Sequence, residues 1–363
     1  MSFKIKILFS VDDTDWNSFL YKSEFSTVFQ TSNWVKNYQN MGSKPVFIQI
    51  ESEKGIVAQL AAIIHKNSLR HDNILAKNLG SKFNISSILT WSYGPIILDL
   101  ENYSEIFSLI ISSLDKIAKQ HNVMMIRGST PPLDQNDPKK LFQKYQYSFL
   151  PWSTYIVSLN QNEDLFFSSL DKKTRYDIRK SEKNNLLFEI PQNADYPKEF
   201  YELKNEEYKR NGKKVAPISN SYEKRWKNLY QNGFEKIFVT KNKNHILSGI
   251  SNIIFNGYSI QHAVANSKID LSAGTFLTWN VIKWGIKNNL SYFDVGGINP
   301  QPQSEKEIKI DYYKSKWIGK KYDYFFYTKV INQKKYYFST ALRNPNRILS
   351  KYHRYKQSNI VNN

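Results

Sequence analysis

Short apolar strands and amphipathic helices follow one another in a similar order on the two sides of Pro151. Before Pro151, apolar spacing predicts strands at 45–50, 56–65, 96–98 and 123–126, and a helix at 105–120. After it, the spacing predicts strands at 154–157, 186–190, 236–240, 247–255, 258–264 and 290–294, and helices at 163–183, within 198–230 and at 274–287. Helices do not separate every pair of strands, as repeated βαβ units require, so the pattern predicts an α+β fold.

The length of 363 residues favours two domains. No sequence repeat is evident between the halves, but their similar order of elements favours two similar units. We therefore expect a first domain at residues 1–150 and a second at residues 151–324.

The chain is strongly basic: 51 Lys and Arg residues against 32 Asp and Glu residues give a formal charge of +19. Such a field attracts nucleic acid, anionic lipid or phosphorylated substrates, and it does not choose among them. A genome rich in A and T would also enrich lysine and asparagine, so the charge has a second, non-functional explanation.

The absence of cysteine excludes disulfides, a thiolate nucleophile and a cysteine zinc site. The histidines, His245 and His262 among them, show no metal-binding spacing, so we expect no metal. The first ten residues are too polar for a signal-peptide core, and no run reaches the ~18 apolar residues of a membrane span. We expect a cytoplasmic protein, with peripheral contact at the inner face of the membrane left open.

A predicted buried strand ends in Asp294, Val295, Gly296 and Gly297, and fifteen residues after Ile298 the chain reads Tyr-Lys-Ser-Lys-Trp at 313–317. A Gly-Gly turn adopts φ values that other residues avoid and exposes backbone N–H groups. This combination predicts a functional cleft, although a purely structural turn would use the same glycines. Gln261 and His262, on a neighbouring predicted strand, could line that cleft or simply pack.

Basic residues also crowd the predicted helix at 163–183, where Lys172, Arg175 and Arg179 share one face. Such a face could bind phosphates, which makes Arg175 and Arg179 binding candidates. Neighbouring acids such as Asp177 and Glu182 could instead neutralise it as part of an ion-paired helix between domains.

Residues 167–184, the Asp-Val-Gly-Gly segment and the Tyr-Lys-x-x-Trp element resemble, in this order, signature elements of the Fem-type (FemABX) peptidyltransferases. Weaker similarity extends from Phe29 to about Gly319. The resemblance implies two GNAT-like domains with mixed sheets, and a first domain completed by the C-terminal segment 325–363. It also implies an aminoacyltransferase that uses aminoacyl-tRNA.

The resemblance assigns roles to residues of the second domain. Lys314 would stabilise the oxyanion of acyl transfer, because a fixed ammonium favours the developing negative charge. Tyr313 would lie against the terminal adenosine of the donor, with Trp317, Gly296 and Gly297 shaping the donor site. A surface lysine beside a packed tyrosine is the structural alternative.

Asp294 could act as the general base that deprotonates the incoming amine. A strand-end aspartate more often caps the turn that follows it, and the sequence leaves both roles open.

Some members of the family use a peptidoglycan precursor. They bind the phosphates of this precursor through a lysine after the Trp of the first domain and an arginine before a Pro of the second domain. Lys36, close after Trp34, is the candidate for the first, although it is displaced, and Ala216 stands in the arginine's place. Lys213 and Lys214 lie nearby. These departures leave the acceptor open.

CoA-dependent GNAT enzymes hold a pyrophosphate on a glycine-rich turn at a helix start. Residues 268–275 contain one glycine and one acid, which favours aminoacyl-tRNA as donor and leaves acyl-CoA as an alternative. No bound cofactor is expected.

No acid follows Asp323, whereas basic residues up to Lys356 are interleaved with the aromatic residues Tyr336, Tyr337, Phe338, Tyr352 and Tyr355. Such a segment suits an anionic membrane or an RNA backbone, and a solvated terminal helix has the same composition. The basic side chains are Lys329, Lys334, Lys335, Arg343, Arg347, Lys351, Arg354 and Lys356.

The sequence thus predicts an acyltransferase that moves an aminoacyl or acyl group onto an amine of a cell-envelope or peptidoglycan-type precursor. Two alternatives remain: an acyl-CoA-dependent N-acyltransferase acting on surface polysaccharide or lipid, and a non-catalytic RNA- or membrane-binding protein.

Overall fold

The computed structural model describes residues 2–39, 42–65, 86–134, 136, 138–192, 196–212, 221–243, 245–269 and 271–343. The basic segment beyond Arg343 and the stretch from Lys213 to Pro217 lie outside these residues. Thirteen described strands form one mixed sheet, accompanied by eleven described α-helices.

The strands and helices occur in two runs that meet at a long central strand. The strands are β1 Lys4–Leu8, β2 Lys44–Ser52, β3 Gly55–His65, β4 Ile88–Thr90, β5 Ile96–Ile97, β6 Met125–Ser129, β7 Ser148–Ser158, β8 Leu187–Glu189, β9 Glu235–Asn242, β10 His245–Phe255, β11 Tyr258–Asn266, β12 Tyr292–Ile298 and β13 Lys320–Val330. The α-helices are α1 Asp13–Leu20, α2 Ser32–Gln39, α3 Tyr103–Gln120, α4 Lys139–Lys144, α5 Glu163–Ser169, α6 Lys172–Glu182, α7 Tyr196–Arg210, α8 Ser221–Arg225, α9 Ala273–Lys287, α10 Glu305–Ser315 and α11 Gln333–Arg343. A 3₁₀ turn at Val28–Gln30 and a π-helical turn at Trp226–Tyr230 complete them.

The order of strands across the sheet is β1-β2-β3-β4-β6-β13-β7-β12-β11-β10-β9-β8, with β5 paired to β3. In each half of the sheet, neighbouring strands are antiparallel up to one parallel pair. This pair is β4 with β6 in the half that begins at β1, and β11 with β12 in the half that begins at β8. The halves are joined by the antiparallel pair of β7 and β13. Strand β13 thus lies beside β6 of the first half, although it follows the whole second half in sequence.

Each half buries an apolar helix against its part of the sheet. Helix α3 buries Ile106, Ile110 and Leu114 in a cluster with strands β2 and β6. Helix α9 buries Leu277 and Ile282 against β7 and β12. Each fully buried aliphatic side chain stabilises the fold by about 1.5–3 kcal/mol, so these faces fix both helices on the sheet.

Two local expectations are wrong. The helix predicted at 163–183 is two helices, because Asp171 caps α6: its Oδ1 accepts from the Thr174 amide at 2.8 Å, while Leu170 is extended. Gly296 and Gly297 do not form a turn after the strand. They lie inside β12, where the register with β7 shifts between Asp294 and Gly297, so the pair is a β-bulge.

Candidate functional site

A cleft opens where the parallel strands β11 and β12 separate. They pair only from Tyr258, opposite Tyr292, to Ile260, opposite Asp294. Strand β11 then continues to Asn266 and β12 to Ile298, and the start of α9 contributes to the space between them. A cavity of about 1240 Å³ lies here, and residues of α10 together with Glu207 of α7 form further parts of its wall.

The first turn of α9 contributes Ala273, Gly274 and Thr275 to the cavity wall. Leu271 and Ser272, just before it, have left-handed backbone angles (φ 38° and 56°) that set the direction in which the helix starts. The first N–H groups of a helix lack intrahelical partners and carry partial positive charge. This end of the cavity therefore suits an anionic group.

The bulge in β12 brings backbone carbonyl groups to the cavity. Gly296 has φ 84°, and a Cβ there would lie 3.1 Å from the Gln261 carbonyl oxygen and 3.2 Å from Lys314 Nζ. A Cβ on Gly297 would lie 2.3 Å from Trp152 Nε1. Both positions therefore need glycine, one for its φ angle and both for close contacts.

Lys314 reaches the bulge from the last turn of α10. Its Nζ donates to the carbonyl oxygens of Gly296 at 2.8 Å and Gly297 at 3.1 Å. Burial lowers the pKa of Lys314 to about 8, and the charges of Asp294 and Asp311 oppose that shift. The side chain is thus an ammonium group at neutral pH, fixed by two carbonyl groups and with one N–H left over.

Asp294 is fully buried beneath the bulge and does not line the cavity. Its Oδ1 accepts from the Gly296 amide at 2.8 Å and from the Thr154 hydroxyl, and its Oδ2 accepts from Tyr258 at 3.4 Å. Burial raises the pKa of Asp294, while the hydrogen bonds oppose the shift. These contacts hold the bulge in shape, which is the capping role that the sequence left open.

Tyr313 lines the cavity, whereas Trp317 does not. The Tyr313 hydroxyl donates to the Gly274 carbonyl oxygen at 2.9 Å and lies 2.9 Å from the Thr278 hydroxyl, so it connects α10 with the first turn of α9. Trp317 is fully buried in the apolar cluster of the second half. Its position supports α10 from below.

The three remaining candidates lie away from the cavity. Arg175 donates to the carbonyl oxygens of Ser168, at 3.0 Å, and Leu170, and so closes the end of α5. Arg179 is exposed, with its guanidinium 5.3 Å from the centre of the Phe167 ring. Lys36 in the first half forms an ion pair with Asp13 at 2.7 Å.

The corresponding place in the first half is more closely packed among the described residues. After β4, the Trp91 amide donates to the Arg127 carbonyl oxygen at 3.2 Å and the Gly94 amide to that of Ser129 at 3.0 Å, so the backbone bonding continues. The Trp91 ring is buried over Gly128, where a Cβ would lie 2.0 Å from it. Among the described residues, the large cavity lies at the second of these two parallel pairs, and the space beside Thr90, Trp91 and Ser92 in the first half holds a cavity of about 70 Å³.

Sequence reasoning missed a buried ion pair behind the cavity wall. Arg225 Nε lies 2.6 Å from Glu235 Oε2, and its NH2 nitrogen lies 3.0 Å from Oε1. The same NH2 group is 3.3 Å from Nδ1 of His262, which lines the cavity. No short motif links these residues, because a helix end, a strand start and a distant strand supply them.

Within the described ranges, no three His, Asp or Glu side chains are grouped as metal ligands would be. None of the helices in those ranges combines the length and the apolar character that crossing a membrane requires.

No protein-family model matches the sequence, and no curated protein shows significant sequence similarity to it. The structure, by contrast, resembles FemX with a TM-score of 0.70 at 14% identity, over 92% of this chain and 99% of FemX. A tandem GNAT protein from the clavulanic acid biosynthesis pathway gives 0.55 at 9% identity, over 91% and 99% of the two chains. L-PGS from Bacillus licheniformis gives 0.54 at 13% identity, over 91% and 97%.

These similarities extend over nearly the whole of each chain. Because the sequence identities are low, they establish the fold alone. The α+β prediction with two GNAT-like units is confirmed: the chain has the fold of FemX and of tandem GNAT proteins.

Proposed function

We propose that this protein is an acyltransferase that moves an aminoacyl or acyl group onto an amine of a cell-envelope component. The observation that carries the proposal is the Lys314 ammonium group, held by the Gly296 and Gly297 carbonyl oxygens at the wall of a large cavity. Its remaining N–H can donate to an oxygen that gains negative charge.

The chemistry is attack of an amine on the carbonyl carbon of an ester. The C–N bond forms as the carbonyl electrons move onto oxygen, and the Lys314 ammonium stabilises the resulting oxyanion. Collapse of this intermediate breaks the C–O bond to the ribose of the donor. The amine loses its proton to solvent, and the leaving hydroxyl group takes one up.

Aminoacyl-tRNA is the donor that we propose. Tyr313 offers an aromatic ring in the cavity, and rings of this kind stack on nucleobases. Lys306, Lys309 and Lys314 line the cavity together with Glu207 and Glu305, so its lining carries a small excess of positive charge for a polynucleotide end. The fold of FemX and of L-PGS from Bacillus licheniformis supports an envelope component as acceptor, and the acceptor's identity is part of the proposal.

Acyl-CoA is a second candidate donor, favoured by the start of α9 at the cavity. Its first turn presents Ala273, Gly274 and Thr275, a position suited to a diphosphate. With this donor the bond that breaks is the C–S bond of a thioester, and Lys314 keeps the same role.

Thermal stabilisation by uncharged tRNA and by acetyl-CoA, measured in parallel, separates these donors. We expect tRNA to raise the melting temperature, with an effect that weakens at higher salt because phosphate contacts do. Stabilisation by acetyl-CoA alone would replace the first donor with the second.

Transfer of a labelled amino acid from charged tRNA to an envelope-precursor extract then tests the reaction itself. Binding of tRNA that is equally strong in wild type and Lys314→Ala, with no transfer from either donor in wild type, would contradict the enzyme proposal and favour a non-catalytic RNA-binding protein.

A further inference from the structure

His262 lies in the cavity wall on β11, and none of the chemistry above uses it. Its ring contacts Trp34 of the first half edge-to-face, with centroids 5.6 Å apart. The Arg225 guanidinium approaches Nδ1 at 3.3 Å. A side chain that lines a substrate cavity while being held from behind by buried residues is a candidate for substrate positioning.

Arg225 is itself immobilised. Glu235 binds it through both carboxylate oxygens, at 2.6 Å and 3.0 Å, and the carboxylate also accepts from the Ser251 hydroxyl. The Trp34 ring lies 5.6 Å from the guanidinium carbon. Planar two-point pairing of this kind fixes the direction of the guanidinium N–H groups.

The chemistry of arginine then determines the state of the histidine. A guanidinium group has only N–H donors and stays protonated in proteins, so the nitrogen that faces it must be an acceptor. Nδ1 of His262 therefore carries no proton. The ring is neutral with its proton on Nε2, because a second proton on Nδ1 would point at a cation.

We propose that Arg225 and Glu235 lock His262 as the Nε2–H tautomer, and that His262 positions the amine-bearing substrate by donating to one of its uncharged oxygens. Among the described residues no group forms a hydrogen bond with Nε2, which leaves its N–H for a molecule in the cavity. His262 is exposed to the cavity, and partial desolvation by the surrounding residues together with the Arg225 charge lowers the pKa of its ring. His262 is thus a hydrogen-bond donor and not the base that deprotonates the amine. The positioning role rests on the proposed function, whereas the assignment of the tautomer does not.

Nitrogen-15 NMR of the histidine rings at pH 7 tests the tautomer directly. We expect a non-protonated Nδ1 and a protonated Nε2, assigned by loss of the signals in His262→Gln. An Nδ1–H tautomer or an imidazolium ring would overturn the proposal. Arg225→Lys, which keeps the charge but loses the planar pairing, should yield a mixture of tautomers.

Glycinamide, which joins an amine to a carbonyl oxygen, is the probe for substrate positioning. Its addition should shift the Nε2 signal of His262. The signals of His65 serve as the control, because both of its ring nitrogens lie 3.0 Å from hydroxyl partners, Ser43 and Thr90. No shift at His262, with or without donor present, would overturn the positioning role. This measurement needs no turnover, so it fails independently of the enzyme proposal.

Steady-state kinetics of two matched variants of His262 test the positioning role. In His262→Gln the side-chain amide places an N–H donor near the Nε2 position, whereas His262→Ala has none. We expect KM for the amine to rise about tenfold in His262→Ala, with kcat little changed, and to stay near wild type in His262→Gln. Equal KM values in both variants would contradict the proposal.

Discussion

The Nζ of Lys314 lies 2.8 Å from the carbonyl oxygen of Gly296, eighteen residues earlier in the chain. The contact joins the last turn of α10 to the bulge of β12, and it places the ammonium group where the two parallel strands separate. Since the bulge sets the direction of the carbonyl groups, the shape of the strand determines the position of the charge.

Removal of the ammonium group should slow transfer strongly without unfolding the protein. We expect Lys314→Ala to lower kcat about 10²–10³-fold, as for loss of an oxyanion donor. Lys287→Ala, at the exposed end of α9, is the control for loss of a surface charge. Circular dichroism should show both variants folded; wild-type kcat in Lys314→Ala would refute the assignment.

The rate of transfer should fall above about pH 8. The ammonium form is the active one, and burial lowers the pKa of Lys314 to about 8, so the group loses its charge above that pH. A kcat–pH profile should show this alkaline limb. In Lys314→Arg the limb should disappear, because arginine stays charged; an unchanged limb would assign it to another group.

The free energy of unfolding should also depend on Lys314, but it should increase with pH over the range in which the transfer rate falls. Between about pH 8 and the ordinary lysine value of 10.5, the unfolded chain binds a proton at Lys314 that the native chain does not. The free energy of unfolding therefore rises with pH in this window. Urea unfolding at several pH values should show the rise in wild type and a smaller one in Lys314→Met.

A methyl group on Gly296 should impair both stability and transfer. We expect Gly296→Ala to cost about 1–2 kcal/mol because φ is 84°. It should also lower kcat, because the new Cβ would lie 3.2 Å from Lys314 Nζ. Gly233→Ala is the matched control: its φ is 78° and no atom lies within 4 Å. It should lose similar stability and keep full activity.

Asp294→Asn distinguishes support of the bulge from general-base catalysis. Loss of a general base lowers the rate about 10²–10⁴-fold. Because the carboxylate is buried beneath the bulge, we expect a lower melting temperature and a kcat within about tenfold of wild type, well short of that range. A folded variant whose kcat falls by the full range would restore the role of base.

The buried ion pair behind His262 should matter for folding. We expect Glu235→Ala to destabilise the protein by about 3–5 kcal/mol, because it leaves the Arg225 charge unpaired. Glu305→Ala is the comparison, because the Glu305 side chain is 89% exposed in its ion pair with Lys309. We expect this variant to leave the free energy of unfolding measurably unchanged. Urea unfolding of both variants measures the difference.

Much of the fold followed from apolar periodicity, because buried strands such as β3 and β10 and the helix α9 have long, regular apolar faces. The bulge did not, since a glycine pair has the same local freedom in a turn as in a strand. The break before α6 depends on one side chain, Asp171, whose hydrogen bond outweighs the apolar spacing around it.

The candidate site was predicted in part. Gly296, Gly297, Tyr313 and Lys314 meet at one cavity, and the motif that contains them indicated this. Arg225 and Glu235 were not found, because their pairing with His262 depends on how a helix end packs against two strands. Basic composition could not separate Arg175 from Lys314, since only the folded chain shows that Lys314 lines the cavity whereas Arg175 donates to the carbonyl groups at the end of α5.

Strand β13 has a consequence for how the molecule is made. It lies between β6 and β7 and joins the two halves of the sheet, yet the ribosome synthesises it after the other twelve described strands. An emerging first half therefore exposes the edge of β6 until the chain has reached Val330. Nascent chains stalled before this point should bind chaperones at the edge of β6. We expect this binding to be lost once β13 has emerged and paired with that edge.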